Sequence, residues 1–217
     1  MKNRFYMICK RDTVGSNASF WCHNGHGYNT NIDKAHVYTL EEAQSHWNTG
    51  REIDQPVCAD SVDALAVVHV DHQHVPGESV FEPGCSQYVA FQKGRWDGND
   101  LYWLRNGDLP TTDFTQATIF DKPGDTANLV WLPFSVTDAV KRRTFPIAML
   151  DHRRMVQGAG LRIPAHIQRL RRRKNSSGKT RFNCPECGRI HWQFDPYDFE
   201  GCNDSSCEAW RFNRRTL

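Results

Sequence analysis

The chain has 217 residues, 39% hydrophobic, 12% aromatic and 24% charged, enough apolar content for one large or several small cores and too aromatic for wholesale disorder. No apolar run approaches the eighteen or so residues of a membrane span, and MKNRFYMICKRD lacks the apolar stretch of a secretory leader, so a cytoplasmic protein is expected. The net charge of +2 averages two unlike parts: residues 1–150 carry −5 and residues 151–217 carry +7.

The first 155 residues contain an internal match. Displaced by 82 positions, residues 5–38 align without a gap on 87–120, and Trp21, Asn24, Gly25 and Ala35 fall on Trp103, Asn106, Gly107 and Ala117. In each copy the pattern reads strand (FYMICK, QYVAFQ), turn, strand (SFWC, LYWL), Asn-Gly turn, short strand (HVY, TIF), a helix and a last strand. Ser61-Val62 and Ser135-Val136 each open a helical stretch, and the copies close on VVHVDH and IAMLDH, the second with about six extra residues. The fold class is therefore α+β: two homologous small antiparallel-sheet domains, 1–80 and 81–155. Trp21 and Trp103 belong to their cores, and Cys9 and Cys22, aligned on Phe91 and Leu104, pack as plain hydrophobes.

The densest polar cluster is His69 to His74. A second metal could use Asp71, His72 and His74, which would make the protein a metal-dependent nuclease or phosphoesterase. Both copies, however, share only an Asp-His pair, Asp71-His72 and Asp151-His152, which reads better as a structural hydrogen bond ending a strand. No phosphate loop, dinucleotide fingerprint, nucleophile elbow or HExxH helix is present in the sequence, and a catalytic set is not assigned.

Residues 156–181 form a basic connector: Arg162, Arg169, Arg171, Arg172, Arg173, Lys174, Lys179 and Arg181, with no acidic residue. A helix is predicted near Pro164 to Lys174, with proline in the first turn and Ile167 and Leu170 as a short apolar stripe. Such a run calls for a polyanion, DNA or RNA, contacted by Arg169, Arg171, Arg172, Arg173, Lys174, Lys179 and Arg181, with Arg189, Arg214 and Arg215 beyond.

In residues 182–217, Cys184-Pro-Glu-Cys187 is followed after fourteen residues by Cys202 and Cys207, which is metal-ligand spacing. Four thiolates close a tetrahedron, so a single structural zinc is expected on Cys184, Cys187, Cys202 and Cys207, with Gly188 allowing a sharp exit from the first knuckle. Between the pairs, Ile190, Trp192 and Phe194 alternate with Arg189, His191 and Gln193, the two-faced pattern of a strand; His191, opposite the apolar trio, is expected at the surface.

This arrangement resembles a zinc ribbon. WCHNGHGYNTNIDKAHVYTLEEA, with its degenerate counterpart WLRNGDLPTTDFTQATIF, resembles small accessory proteins of bacteriophages and bacterial mobile elements. That resemblance implies a host-cytoplasm setting, and the charge split adds the expectation of an accessory protein that binds nucleic acid through its basic connector and ribbon while its paired acidic domains engage another protein. The alternative is a protein-interaction module that modulates a host defence or regulatory protein.

Overall fold

The computed structural model describes residues 3–124, 127–174, 178–195 and 197–210, with only the backbone described at 171–174. Met1–Pro164 form one compact unit and Ala165–Leu217 a second. The protein is mixed α+β, with several small antiparallel sheets and a cysteine cluster near the carboxyl terminus.

In the first unit, β1 (Phe5–Val14), β2 (Asn17–Trp21), β3 (Tyr28–Asn29) and β4 (Asp54–Cys58) form a sheet of order β3-β2-β1-β4. Helix α1 (Leu40–Thr49) precedes β4, opened by a capping box between Thr39 and Glu42. Helix α2 (Ala59–Asp63) and strand β5 (Val67–His69) follow. The second sheet repeats this order: β6 (Tyr88–Asp97), β7 (Asp100–Arg105), β8 (Asp108–Thr111) and β9 (Leu129–Pro133) lie as β8-β7-β6-β9, followed by α3 (Phe134–Asp138) and β10 (Arg142–Thr144). Helix α4 (His152–Met155) and a 3-10 turn at Gln157–Ala159 end the unit's regular structure.

Several expectations need correction. In β1 and β2 the spatial correspondence runs at 83 residues, because Ile8 pairs with Phe20 as Phe91 pairs with Trp103. Trp103 therefore occupies the place of Phe20, and Trp21 that of Leu104. Trp103 is fully buried among Val89, Phe91, Leu101, Phe114 and Leu132, whereas Trp21 is half-buried at a cavity. HVY and TIF contribute single bridges, Tyr38 to Phe5 and Phe120 to Tyr88, rather than strands. The last strand of the second copy is Arg142–Thr144, not IAML, which is a 3-10 turn at Ile147–Met149. No six-residue insertion is needed, since α2 and β5 stand in the same spacing as α3 and β10. Asp71 and Asp151 are not equivalent; each caps its own turn, accepting from Gln73 N and Arg154 N. Strands β4 and β9 escaped the sequence pattern because Pro56 lies inside the first and Pro133 ends the second. Both are edge strands, where the missing N–H is tolerated.

The two sheets meet through reciprocal contacts. β5 and β10 pair antiparallel, Arg142 opposite His69, while Ala18 N donates to Phe145 O and Leu101 N to Val70 O. The hairpin tips touch at Gly15 and Gly98, with φ of 58° and 61°, and a Cβ on Gly98 would lie 2.4 Å from the Gly15 nitrogen. Only glycine fits there. Under this contact lies a buried polar cluster. The Asp100 carboxylate, fully out of solvent, accepts from Asn17 Nδ2 at 2.5 Å and Arg142 Nη2 at 2.5 Å, and lies 2.8 Å from His69 Nδ1. Thr144 Oγ1 donates to Asn17 Oδ1 and also lies 2.8 Å from His69 Nδ1. Arg142 Nη1 reaches on to Thr30.

Burial raises the Asp100 pKa, but the bonds and charges of His69 and Arg142, with Asn17, outweigh it, and the net shift is below the ordinary 3.8. A depressed folded-state pKa gives stability that is present above the unfolded value and lost as pH falls through the folded one. Asp100→Ala should cost about 3–5 kcal/mol by removing the buried carboxylate that Asn17, His69 and Arg142 share. Urea midpoints should show the gap between wild type and Asp100→Asn narrowing as pH drops below 3.8. Gly98→Ala should destabilise at every pH, since its cost is steric.

Candidate metal centre and ribbon face

The second unit holds helix α5 (Ala165–Lys174), which matches the predicted connector helix, then the antiparallel pair β11 (Thr180–Asn183) and β12 (Ile190–Gln193). A tight turn leaves β11 at Cys184, where Gly188 N donates to Cys184 O and Gly188 takes φ of 70°. The chain then returns as β12, with Cys184 N bonded to Arg189 O. The second turn is closed by Cys202 N to Ala209 O and Cys207 N to Asp204 O. Asp204 ties this turn together, accepting from Ser206 N and pairing with Arg189 across at the first turn, 2.5 Å away.

These turns bring the four predicted ligands together. Cys184, Cys187, Cys202 and Cys207 place their sulfurs all within 4.8 Å of one another. Cys184 to Cys207 and Cys187 to Cys202 are both 3.6 Å apart. A tetrahedral ion with metal–sulfur bonds of about 2.3 Å needs sulfurs about 3.8 Å apart, whereas a disulfide needs about 2.05 Å. The donor set therefore fits a metal such as zinc. Backbone N–H groups turn toward the sulfurs, as knuckle geometry requires: Asp204 N donates to Cys202 Sγ at 3.3 Å. Burial pushes the Cys184 thiol up, but N–H bonds from Cys187 and Glu186 more than offset it and bring it down to about 7. At Cys207, a backbone bond from Ala209 lowers the thiol, yet burial and the three neighbouring sulfurs hold it up at about 12. With all four ionised, a set this close would hold a cation among them.

His191 and the apolar trio sit opposite to expectation. The alternation along β12 is present, but its faces are inverted: His191 and Gln193 are buried, while Ile190, Trp192 and Phe194 are 52%, 59% and 68% exposed. The reason is what the inner face must touch. His191 Nε2 lies 3.3 Å from Cys202 Sγ, and Gln193 holds the 195–200 loop, donating to Asp195 O and Asp198 O and accepting from Glu200 N at 2.9 Å. Apolar side chains could satisfy none of these groups. Phe182, opposite His191, and Phe199 fill the remaining inner space.

The outer face combines basic and aromatic groups. Arg181 stands directly across from Trp192, and both are exposed; paired residues of an antiparallel ladder share a face. The Lys179 ammonium lies 5.1 Å from the Phe194 ring centre. Arg189 is committed to Asp204, and Arg169 is exposed on α5. The side chains of Arg171, Arg172, Arg173 and Lys174, and all of Arg214 and Arg215, lie outside the described residues. Comparison with protein-family models, characterised proteins and solved structures finds no match.

The polar cluster at 69–74 is used differently. Asp71 is buried, accepts from Gln73 N and Asn99 Nδ2, and lies 3.5 Å from Arg142. His72 stacks on Trp96, with ring centres 4.5 Å apart. Among the described residues, the cysteine quartet is the group of such side chains close enough to share an ion, and Asp71, His72 and His74 are not brought together in that way. No helix among the described residues is long and apolar enough to cross a membrane.

Metal analysis of the purified protein should find one ion per chain. Cys184→Ser should release it and expose the tail to protease, whereas His191→Gln should retain the ion, because the histidine meets a ligand sulfur rather than completing the set.

Proposed function

We infer that the protein binds single-stranded nucleic acid through the outer face of a zinc-held ribbon. The observation that carries this reading is the exposure of Ile190, Trp192 and Phe194 on one strand face beside Lys179 and Arg181. Aromatic faces accept any base by stacking, and cations alongside follow the phosphates; together they make a sequence-tolerant single-strand platform. The basic connector, with four consecutive cations at 171–174, extends the electrostatic track. Zinc is the metal we assign, as the ion best matched to four thiolates at tetrahedral spacing. It acts by folding the tail and leaves no position for substrate. The repeated strand order and the reciprocal bridges of the first unit support the further reading that residues 1–155 arose by duplication.

The same exposed trio favours a second reading, a protein-docking surface, since large apolar side chains are rarely clustered in solvent without a partner. Salt separates the two. Fluorescence anisotropy with a mixed-sequence oligonucleotide should show affinity falling with salt, each phosphate engaged adding about 0.7 to the logarithmic slope. Trp192→Ala should weaken binding by about 1–3 kcal/mol, and reversing the charge at Arg171, Arg172 and Arg173 should flatten the slope. Salt-insensitive association with one stoichiometric protein, without oligonucleotide binding, would select the docking surface instead.

A further inference from the structure

The first unit contains a cavity of about 400 Å³, lined by Met7, Trp21, Tyr28, Tyr38, His46, Arg51 and Asp54 among others, within the size range of small-molecule sites. Its walls are mostly aromatic. Trp21 and Tyr28 meet edge to face with ring centres 5.1 Å apart, and Tyr38 and His46 do likewise at 5.1 Å. One end is polar: Arg51 Nε donates to Asp54 Oδ2 at 2.9 Å, Tyr28 Oη donates to Asp54 Oδ1 at 2.6 Å, and Arg51 Nη2 donates to Tyr28 Oη. Burial, then the bond and charge of Asp54, push the Tyr28 phenol upward, so it stays a neutral donor.

The second sheet shows what this place becomes when it serves only packing. Met7 pairs with Pro56, and at the same register Ala90 pairs with Trp131. Asp54 and Leu129 occupy the matching end positions, opposite Cys9 and Gln92. Trp131 packs against Phe120, the counterpart of Tyr38, and with Tyr88, Ala90, Leu104 and Leu129 it builds an apolar cluster. In the first sheet, proline replaces the tryptophan, an acid replaces the leucine, and Trp21 replaces Leu104. The cavity is thus not a by-product of the sheet architecture. Its residues are those that would empty the space and then give it flat walls and a donor–acceptor end.

We propose that this cavity binds a nucleobase, stacked among Trp21, Tyr28 and Tyr38 with its polar edge on the Arg51–Asp54 pair. A cationic ligand is disfavoured because Arg51 already provides the cation, pairing with Asp54 and lying 5.7 Å from the Tyr28 ring centre. A purely aliphatic ligand would bury that ion pair without replacing the water it loses. A planar heterocycle satisfies both parts: its faces meet the rings, and its edge offers a donor and an acceptor side by side. Arg51 has five N–H donors and each Asp54 oxygen two lone pairs, so the existing pair can accept further partners. The proposal is independent of the ribbon reading, since it concerns only residues of the first unit.

The test uses the full chain, with tryptophan fluorescence and calorimetry against guanosine, adenosine, cytidine, uridine, a mixed-sequence octanucleotide and tetramethylammonium. Saturable binding of at least one nucleoside is expected, weakened roughly tenfold in Trp21→Ala, the loss of one stacking partner, and similarly in Arg51→Leu, but unchanged in Trp192→Ala. Arg51 is exposed, so Arg51→Leu keeps the test valid should Trp21→Ala fail to fold. Octanucleotide binding that depends on Trp21, with no nucleoside binding, would mean the base is taken from a strand rather than free. Oligonucleotide binding that depends only on Trp192, with no nucleoside binding that depends on Trp21 or Arg51, would uphold the ribbon reading and overturn this one. Binding of tetramethylammonium alone, or of none of these probes at millimolar concentration, would also overturn it.

Discussion

A carboxylate without access to water organises the first unit. Asp100 lies at the start of β7, beneath the meeting hairpin tips, and its partners come from β2, β5 and β10. Burying an ion is costly unless its oxygens are fully engaged, so Asn17, His69 and Arg142 must arrive together. Their arrival sets the β5–β10 register, and that register joins the two sheets. The network is better viewed as a specifier of one arrangement than as a source of large net stability, because apolar residues of the same volume could fill the space without fixing which strand faces which.

Much of this was legible in the sequence, but not the part that matters most here. Continuous apolar runs bounded by turn residues marked β1, β2, β6 and β7, because the apolar stretches of β1 and β6 are buried on both faces. The prolines hid β4 and β9 for a physical reason: edge strands tolerate what the pattern treats as a breaker. The Asp100 cluster was illegible because its members lie 83, 31 and 42 residues from Asp100 (Asn17, His69 and Arg142), and nothing local marks a polar residue as destined for the interior. The tryptophan pair misled for a related reason. Identity at one spacing suggested equivalence, whereas the ladder places Trp103 with Phe20 and turns Trp21 to the other face of its sheet.

That one-residue difference has a chemical consequence. Adjacent residues of a strand face opposite sides, so a tryptophan at the Trp21 position cannot be the core residue that Trp103 is. In the second sheet the same face is closed by Trp131 packed on Phe120. In the first it remains a cavity whose polar end, Arg51 with Asp54, has no counterpart in the apolar cluster across the pseudo-repeat. Two sheets built on one strand order can thus divide their work, one retaining a filled core and the other opening toward a ligand.

The ribbon makes the same point with the faces of a single strand. A hydrophobic trio alternating with Arg, His and Gln would conventionally point inward, and in a larger domain it would do so, since apolar burial drives folding. Here the inward space is taken by a cysteine quartet and by a loop whose carbonyls and amides need partners, and His191 and Gln193 meet those needs. An ion held by the four cysteines would supply the folding free energy that a core of this size could not. With the staple inside, Ile190, Trp192 and Phe194 are released from packing and stand in solvent beside Lys179 and Arg181. Four clustered thiols and an outward aromatic face are therefore two sides of one constraint: a small unit held by a cation can place its largest side chains where a partner can reach them.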